Sequence, residues 1–78
     1  MIRKTEKLLI TFFTTTEAMA MERLCKTHSV AGRIIPVPGN ISADCGLGWC
    51  SNIQDEAFLL SFMEQHNVHF QGIHRCLL

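Results

Sequence analysis

The spacing of hydrophobic residues changes several times along the chain, and each change predicts a different element. Residues 8–14 are rich in β-branched and aromatic side chains, which favours a first strand. Between Ala18 and His28, apolar residues recur every three or four positions, which is the spacing of one helix face. Just before them, Thr14 and Glu17 have the spacing of a capping box, a pattern that starts helices. The first third of the chain is therefore predicted to be a strand followed by a helix.

The rest of the chain adds a hairpin, a second helix and a last strand. Residues 33–37 are a short predicted strand, and Pro36 confines it to a sheet edge because proline lacks an amide proton. A Pro-rich and Gly-rich loop then leads to a third predicted strand at 45–50. Ser51 and Asn52 both offer caps for a helix over 51–67 that has a renewed helical spacing, and residues 68–77 are predicted to form the final strand.

The predicted order β-α-β-β-α-β is that of a ferredoxin-like α+β sandwich. Two right-handed crossovers joined by a hairpin give an antiparallel sheet in spatial order 4-1-3-2, with both helices on one face. We expect a single domain over residues 1–78, of which residues 1–6 are a frayed N-terminus. The first strand is apolar on both faces, with Leu8, Ile10 and Phe12 on one and Leu9 and Phe13 on the other. We therefore expect a homodimer or a neighbouring domain to cover the open face.

Composition and charge argue against several classes of function. Apolar residues make up 47% of the chain and charged residues 18%, which predicts an ordered core. Seven basic residues balance seven acidic ones without clustering, so we predict no nucleic-acid surface. No apolar stretch approaches the roughly 20 residues of a membrane span, and the N-terminus lacks the layout of a signal peptide. The expected location is the cytoplasm, with no membrane partner.

Cysteine is the residue type in this chain that most suggests chemistry. Cytoplasmic proteins keep their thiols reduced, so we predict four free cysteines rather than the two disulfides of an exported domain. Cys45 lies where the hairpin loop enters the third strand, and Gly46 beside it lets another backbone or a ligand approach the sulfur. Arg33 on the paired strand would favour the thiolate, whereas the adjacent Asp44 would oppose it. The local sequence leaves a reactive thiol and a structural cysteine both open.

Two other arrangements compete with a single reactive thiol. Cys50 follows Cys45 by five residues, so in a regular strand the two side chains point to opposite faces, and a redox pair needs an irregular strand. Zinc is the other rival, because cysteine and histidine are its preferred ligands. The candidates lack a Cys-x-x-Cys or a helical His-x-x-x-His spacing, which leads us to predict no metal and no other cofactor. They are Cys45, Cys50, His66, His69 and His74.

Residues 33–48 resemble the signature of a family of small bacterial proteins, the selenium/sulfur carrier-like proteins, and the likeness extends over nearly the whole chain. The most specific matching elements are Pro36-x-Pro38, Ser42 and Cys45-Gly46. The sequence departs from the family pattern at Gly39, where a basic residue is expected, and at Cys50, where an ordinary residue is expected. The first departure weakens an anion-binding role for the loop, and the second leaves open a chemistry peculiar to this protein.

The resemblance implies a domain found alone or joined to a sulfurtransferase-like domain implicated in selenium metabolism. Cys45 matches the family's cysteine, which leads to the hypothesis of a carrier that takes up a sulfur or selenium atom and passes it on. Ser42 and the amides near Gly46 would stabilise the sulfur anion, and a sulfurtransferase-like or selenium-metabolism protein would be the partner. Such a protein is a carrier rather than a turnover enzyme. The alternative is a non-catalytic interaction or regulatory domain that dimerises or docks through its open sheet face, with Cys45 structural.

Overall fold

The computed structural model describes residues 5–78 as one four-stranded sheet with two helices packed on one of its faces. The elements are β1 Glu6–Thr11, α1 Thr15–Thr27, β2 Arg33–Pro36, β3 Leu47–Ser51, α2 Glu56–Gln65 and β4 Gly72–Leu77, with a 3₁₀ turn at Ile53–Asp55. Their order confirms the predicted β-α-β-β-α-β arrangement and the α+β class. The strands lie in the order β2-β3-β1-β4 and all neighbouring pairs are antiparallel, so the predicted sheet is also confirmed.

The first strand, β1, starts earlier in the chain than the sequence predicts. Glu6 pairs with Leu77 of β4, and Thr5 exchanges two backbone hydrogen bonds with Leu78. The frayed segment predicted at 1–6 is therefore wrong at positions 5 and 6, because the last strand offers them backbone partners. Residues 1–4 lie outside the described range.

The two helices begin differently. At α1, the hydroxyl of Thr14 accepts a hydrogen bond from the amide of Glu17, and the Glu17 carboxylate accepts one from the amide of Thr14, which confirms the capping box. The caps predicted for α2 are wrong. Ser51 donates its hydroxyl proton to the carbonyl of Ala31, and the Asn52 side chain accepts from Lys7, so both side chains are occupied across the sheet. A 3₁₀ turn precedes α2 instead.

The two helices end with the same motif. Ser29 after α1 and Asn67 after α2 have left-handed backbones, with φ of 56° and 55°. The valines that follow, Val30 and Val68, donate their amides to carbonyls of the last helical turn and pack against the core. Asn67 is the residue predicted to end α2. Because the chain is still turning at Val68, β4 begins only at Gly72 and not at residue 68.

The core lies between the sheet and the helices. It consists of side chains that are 5% exposed or less: Leu8, Ile10, Phe12, Ala18, Met21, Cys25, Trp49, Leu59, Phe62 and Met63. Alternate residues of β1 therefore face the helices, as the strand period requires. Neither helix in residues 5–78 is long and apolar enough to cross a membrane.

The other face of the sheet is partly covered by the chain itself. Residues 37–46, which we call the covering loop, join β2 to β3. A methyl group added at Gly48 would lie 2.7 Å from Leu9 Cδ1 and 3.3 Å from Val37 Cγ2, so the Val37 side chain, at the start of the loop, lies over β3 on the same face as Leu9. Leu9 is completely buried as a result, although it points away from the helices.

The covering loop extends across the sheet as far as β4. Pro38, Asn40 and Ile41 line one side of a cavity of about 450 Å³, and residues 74–77 of β4 line the other. On its return, the loop is tied to the residue before β4, where the amide of Asp44 donates to the Gln71 side chain over 3.0 Å. Leu9 thus needs no second copy and no neighbouring domain to be shielded from water, whereas Phe13 stays 50% exposed.

Candidate functional site

Cys45 lies in the covering loop, two residues before β3 begins. The prediction of a strand from residue 45 is wrong, because Gly46 has a φ of 74° and turns the chain before Leu47 starts to pair. The Cys45 side chain is partly buried and packs against the core between sheet and helices. Its thiol donates a hydrogen bond to the carbonyl of Leu47, with 3.4 Å between sulfur and oxygen.

The backbone around Cys45 is held at both sides. The amide of Val37 donates to the carbonyl of Gly46 over 2.9 Å, which closes the base of the loop, and the Gln71 side chain bonds both the amide and the carboxylate of Asp44. Gly46 itself is exposed, and a side chain added there would meet no atom within 4 Å. The loop therefore fixes the position of the sulfur while leaving open space at the next residue.

Cys45 and the start of α1 lie at the same end of the sheet, where β1 ends. Thr11, the last residue of β1, lies opposite Gly48 of β3 and Gly72 of β4, so β1 ends where β3 and β4 begin. From this same end of the sheet the chain continues into α1, which begins at Thr15. A helix N-terminus carries partial positive charge, which favours anions nearby.

Of the residues predicted to support Cys45, the structure places some in or next to the covering loop and one at the far end of β2. Pro36 pairs with Leu47 at the end of β2, and Pro38 and Ser42 belong to the covering loop. Arg33 is not brought to Cys45. It lies at the opposite end of β2, directly across from Cys50, because the antiparallel register runs from Pro36 with Leu47 to Arg33 with Cys50.

Cys50 and Cys45 lie on different sides of the sheet. Cys50 is 7% exposed and pairs with Leu9 on one side and Arg33 on the other, on the face away from the helices. Cys45 packs against the core beneath the opposite face. All four cysteines are free, and the strand alternation that separates these two leaves no disulfide between them.

The remaining cysteines are poor nucleophiles at neutral pH. Cys25 is completely buried on α1, and burial raises the pKa of its thiol from 9.0 to about 11. Burial also raises the pKa of Cys76 on β4, and the nearby Cys50 raises it further by repulsion between thiolates. Thiolates rather than thiols react with sulfur electrophiles, so Cys25 and Cys76 are the less suitable carriers.

The buried Cys25 predicts a loss of stability at high pH. The unfolded chain ionises this thiol at its ordinary pKa of 9.0, whereas the folded protein holds the proton to about 11. The stabilisation of the folded protein by the protonated Cys25 thiol is therefore fully present below pH 9 and is lost as the pH rises to about 11. We expect the unfolding free energy of the wild type to fall by about 2 kcal/mol more than that of Cys25→Ala over this window. Urea unfolding of both proteins across it measures the difference, and equal losses would contradict the assignment.

The candidate metal ligands are dispersed. In the part of the chain that the structure describes, no group of three His, Cys, Asp or Glu residues could hold one metal ion. His66 packs against His28, with 4.8 Å between ring centroids, and against Phe62, the rings being tilted in both pairs. His74 lies on β4, opposite Leu9.

The feature that sequence reasoning missed is the cover over the open face. The pattern showed a loop rich in Pro and Gly, but it did not show that this loop would run across three strands. One signal was available: Gly48 and Gly72 leave gaps in β3 and β4 beside Leu9 and Thr11, and glycines in a strand often mark the close approach of other chain.

Comparison with known proteins gives one assignment. Neither the curated proteins nor the solved structures include a match to this chain. A family model does match, and it spans residues 7–75, which is nearly the whole sequence and includes the covering loop and Cys45. The chain therefore belongs to the family described as "Putative Se/S carrier protein-like".

Proposed function

We propose that this protein carries a sulfur or selenium atom on Cys45, as a persulfide or a selenosulfide. The observation that supports Cys45 most strongly is its setting: a thiol fixed by a tethered loop, followed by an exposed glycine with open space around it. Membership of a family described as carrier-like agrees with this role. Ser42 lies exposed in the same loop, and we assign it and the amides near Gly46 to the stabilisation of the bound sulfur anion.

The transfer is a thiol exchange that needs no oxidant. The Cys45 thiolate attacks the outer sulfur of a donor persulfide, the donor's sulfur–sulfur bond breaks, and the donor leaves as a thiolate. The Cys45 persulfide then gives up the same sulfur when an acceptor thiolate attacks it, which regenerates Cys45. Selenium follows the same route with a sulfur–selenium bond. The donor and acceptor we propose are proteins of sulfurtransferase or selenium metabolism.

The hydrogen bond of the Cys45 thiol bears on this cycle. In the resting protein the thiol proton points to the carbonyl of Leu47. A thiolate has no proton to donate, so this hydrogen bond belongs to the thiol form. We propose that it fixes the direction of the thiol in the resting protein.

The rival role, an interaction domain that pairs through its open sheet face, has less to support it. The expectation of a partner rested on Leu9 and Phe13, of which Leu9 is buried beneath the covering loop and Phe13 alone stays half exposed. Other positions on this face are Lys7 and Cys50 on the central strands and His74 on the edge strand β4, which are not the residues of an apolar dimer face.

Loading with an uncharged alkyl persulfide tests the carrier role. Intact-mass analysis of the reduced, folded protein should show the gain of one sulfur atom, and a small acceptor thiol should then remove it. Cys45→Ser should lose most of this gain, because Cys25 and Cys50 are less than one-tenth exposed and the pKa of Cys76 is raised, while the matched variant Cys50→Ser should keep it. Equal loading of wild type and Cys45→Ser would overturn the proposal.

A further inference from the structure

We propose that a small oxyanion binds beside Cys50, at the end of the sheet distant from Cys45. A cavity of about 340 Å³ opens there, and its lining contains two cationic side chains, Lys7 and Arg33, together with the Cys50 thiol. The remaining lining residues are Gly32, Ser51 and Asn52, so no acidic residue contributes to it. The combination of two cations, a thiol and no carboxylate selects an anion.

The sheet register explains why these side chains converge. Arg33 on β2 lies directly opposite Cys50 on β3. On the other side Cys50 pairs with Leu9, and Lys7, two residues before Leu9, points to the same face of the sheet. The three groups therefore belong to three adjacent strands and lie on rigid backbone, which is the usual requirement for a preorganised binding site.

Both cations keep donors for a ligand. Neither Lys7 nor Arg33 forms a salt bridge within residues 5–78, and residues 1–4 contain no Asp or Glu. The Lys7 ammonium donates one hydrogen bond, to Asn52 Oδ1 over 3.1 Å, which holds its position and leaves two protons free. The Arg33 guanidinium adds a planar set of donors that matches the oxygens of a carboxylate, sulfate or phosphate group.

The cavity has room for such a group together with water, since one water molecule occupies about 30 Å³ in the liquid. Ser51 contributes little beyond shape, because its hydroxyl proton already bonds the Ala31 carbonyl. The ligand class is therefore a small anion with carboxylate-, sulfate- or phosphate-type oxygens, bound by Lys7 and Arg33 and placed against the Cys50 sulfur. This site is separate from Cys45, which lies on the other side of the sheet.

Titration with inorganic sulfate, followed by backbone amide shifts in NMR spectra, tests the binding. We expect saturable shifts centred on Lys7, Arg33 and Cys50, weakened at least about threefold by Lys7→Met and by Arg33→Met because each removes a neighbouring charge. Arg23→Met, which removes an exposed cation on α1, is the matched control and should bind sulfate as the wild type does. Absence of saturable shifts, or equal affinity in Arg33→Met and Arg23→Met, would overturn the proposal.

A pair of alkylating reagents of similar size provides a second readout at the thiol. Iodoacetate is an anion and iodoacetamide is neutral, so the ratio of their rates at Cys50, measured by peptide mass spectrometry, reports recruitment by the two cations. We expect this ratio to fall by roughly three- to tenfold in Lys7→Met/Arg33→Met, with the iodoacetamide rate little changed. An unchanged ratio would contradict the anion site. Cys45→Ser should leave the ratio and the sulfate shifts intact, so this test and that of the carrier role fail independently.

Discussion

Leu9→Ala is expected to destabilise the protein by about 2–5 kcal/mol, the range for a large-to-small change in a closed core. Leu9 points away from the helices, and in an uncovered sheet this change would cost little. In this structure, however, it is completely buried, and Val37 of the covering loop lies beside it over Gly48. The expected loss is a large part of the stability of a domain of this size, which is on the order of 4–12 kcal/mol. Urea unfolding of the wild type and the variant measures it.

Phe13→Ala is the matched control for Leu9→Ala. The sequence pattern places Phe13 on the same outward side of the chain, but its side chain is 50% exposed. We therefore expect a loss of less than about 1 kcal/mol. If Leu9→Ala cost no more than Phe13→Ala at a protein concentration where the chain is monomeric, the covering loop would not seal this face.

Gly32→Ala should destabilise the fold by a similar amount, for a different reason. The added methyl group would lie 2.6 Å from Nε1 of the Trp49 indole, and the backbone at Gly32 has a φ of 143°, which residues with a side chain rarely adopt. Trp49 is 2% exposed within the core, so the ring has little room to move. Overpacking and backbone strain together are expected to cost about 2–5 kcal/mol.

Gly39→Ala separates this effect from the general cost of replacing a glycine. Gly39 lies in the covering loop, and a methyl group added there would meet no atom within 4 Å. Its backbone does not have the left-handed φ found at Gly32 and Gly46. We expect unchanged stability, or a gain of about 0.5 kcal/mol from reduced freedom of the unfolded chain. Thermal unfolding of both variants measures the contrast, and similar shifts would mean that the contact between Gly32 and Trp49 is not tight.

The fold was predictable because its local signals agree with one another. The capping box at Thr14, the left-handed position at Asn67 and the proline of the edge strand each depend on a few neighbouring residues, and the structure confirms them. The start of β3 was not predictable from alternation, since it is set by the backbone of Gly46. The start of α2 failed because Ser51 and Asn52 find partners across the sheet, which a local pattern does not contain.

The candidate site was predictable only in part. Sequence reasoning proposed Cys45 and Gly46 as a site, which stays a prediction, and the family model spans both residues. The separation of Arg33 from Cys45 and its pairing with Cys50 follow from the register of β2 with β3, which the sequence alone does not give. The path of the covering loop over Leu9 depends on contacts between residues far apart in the chain, such as Asp44 with Gln71. For this reason the loop appeared as a connection and not as a cover.

The most direct test of the carrier role is to locate the transferred sulfur in the folded wild-type protein. The reduced protein is treated with a limiting amount of an uncharged alkyl persulfide, blocked with a neutral alkylating reagent and digested, and the persulfide is assigned by peptide mass spectrometry. All four cysteines compete in one sample, so the buried Cys25 acts as an internal control. The account predicts that Cys45 holds the sulfur first. A persulfide that forms first on Cys50 or Cys76, or on Cys45 only after the protein is unfolded, would contradict it.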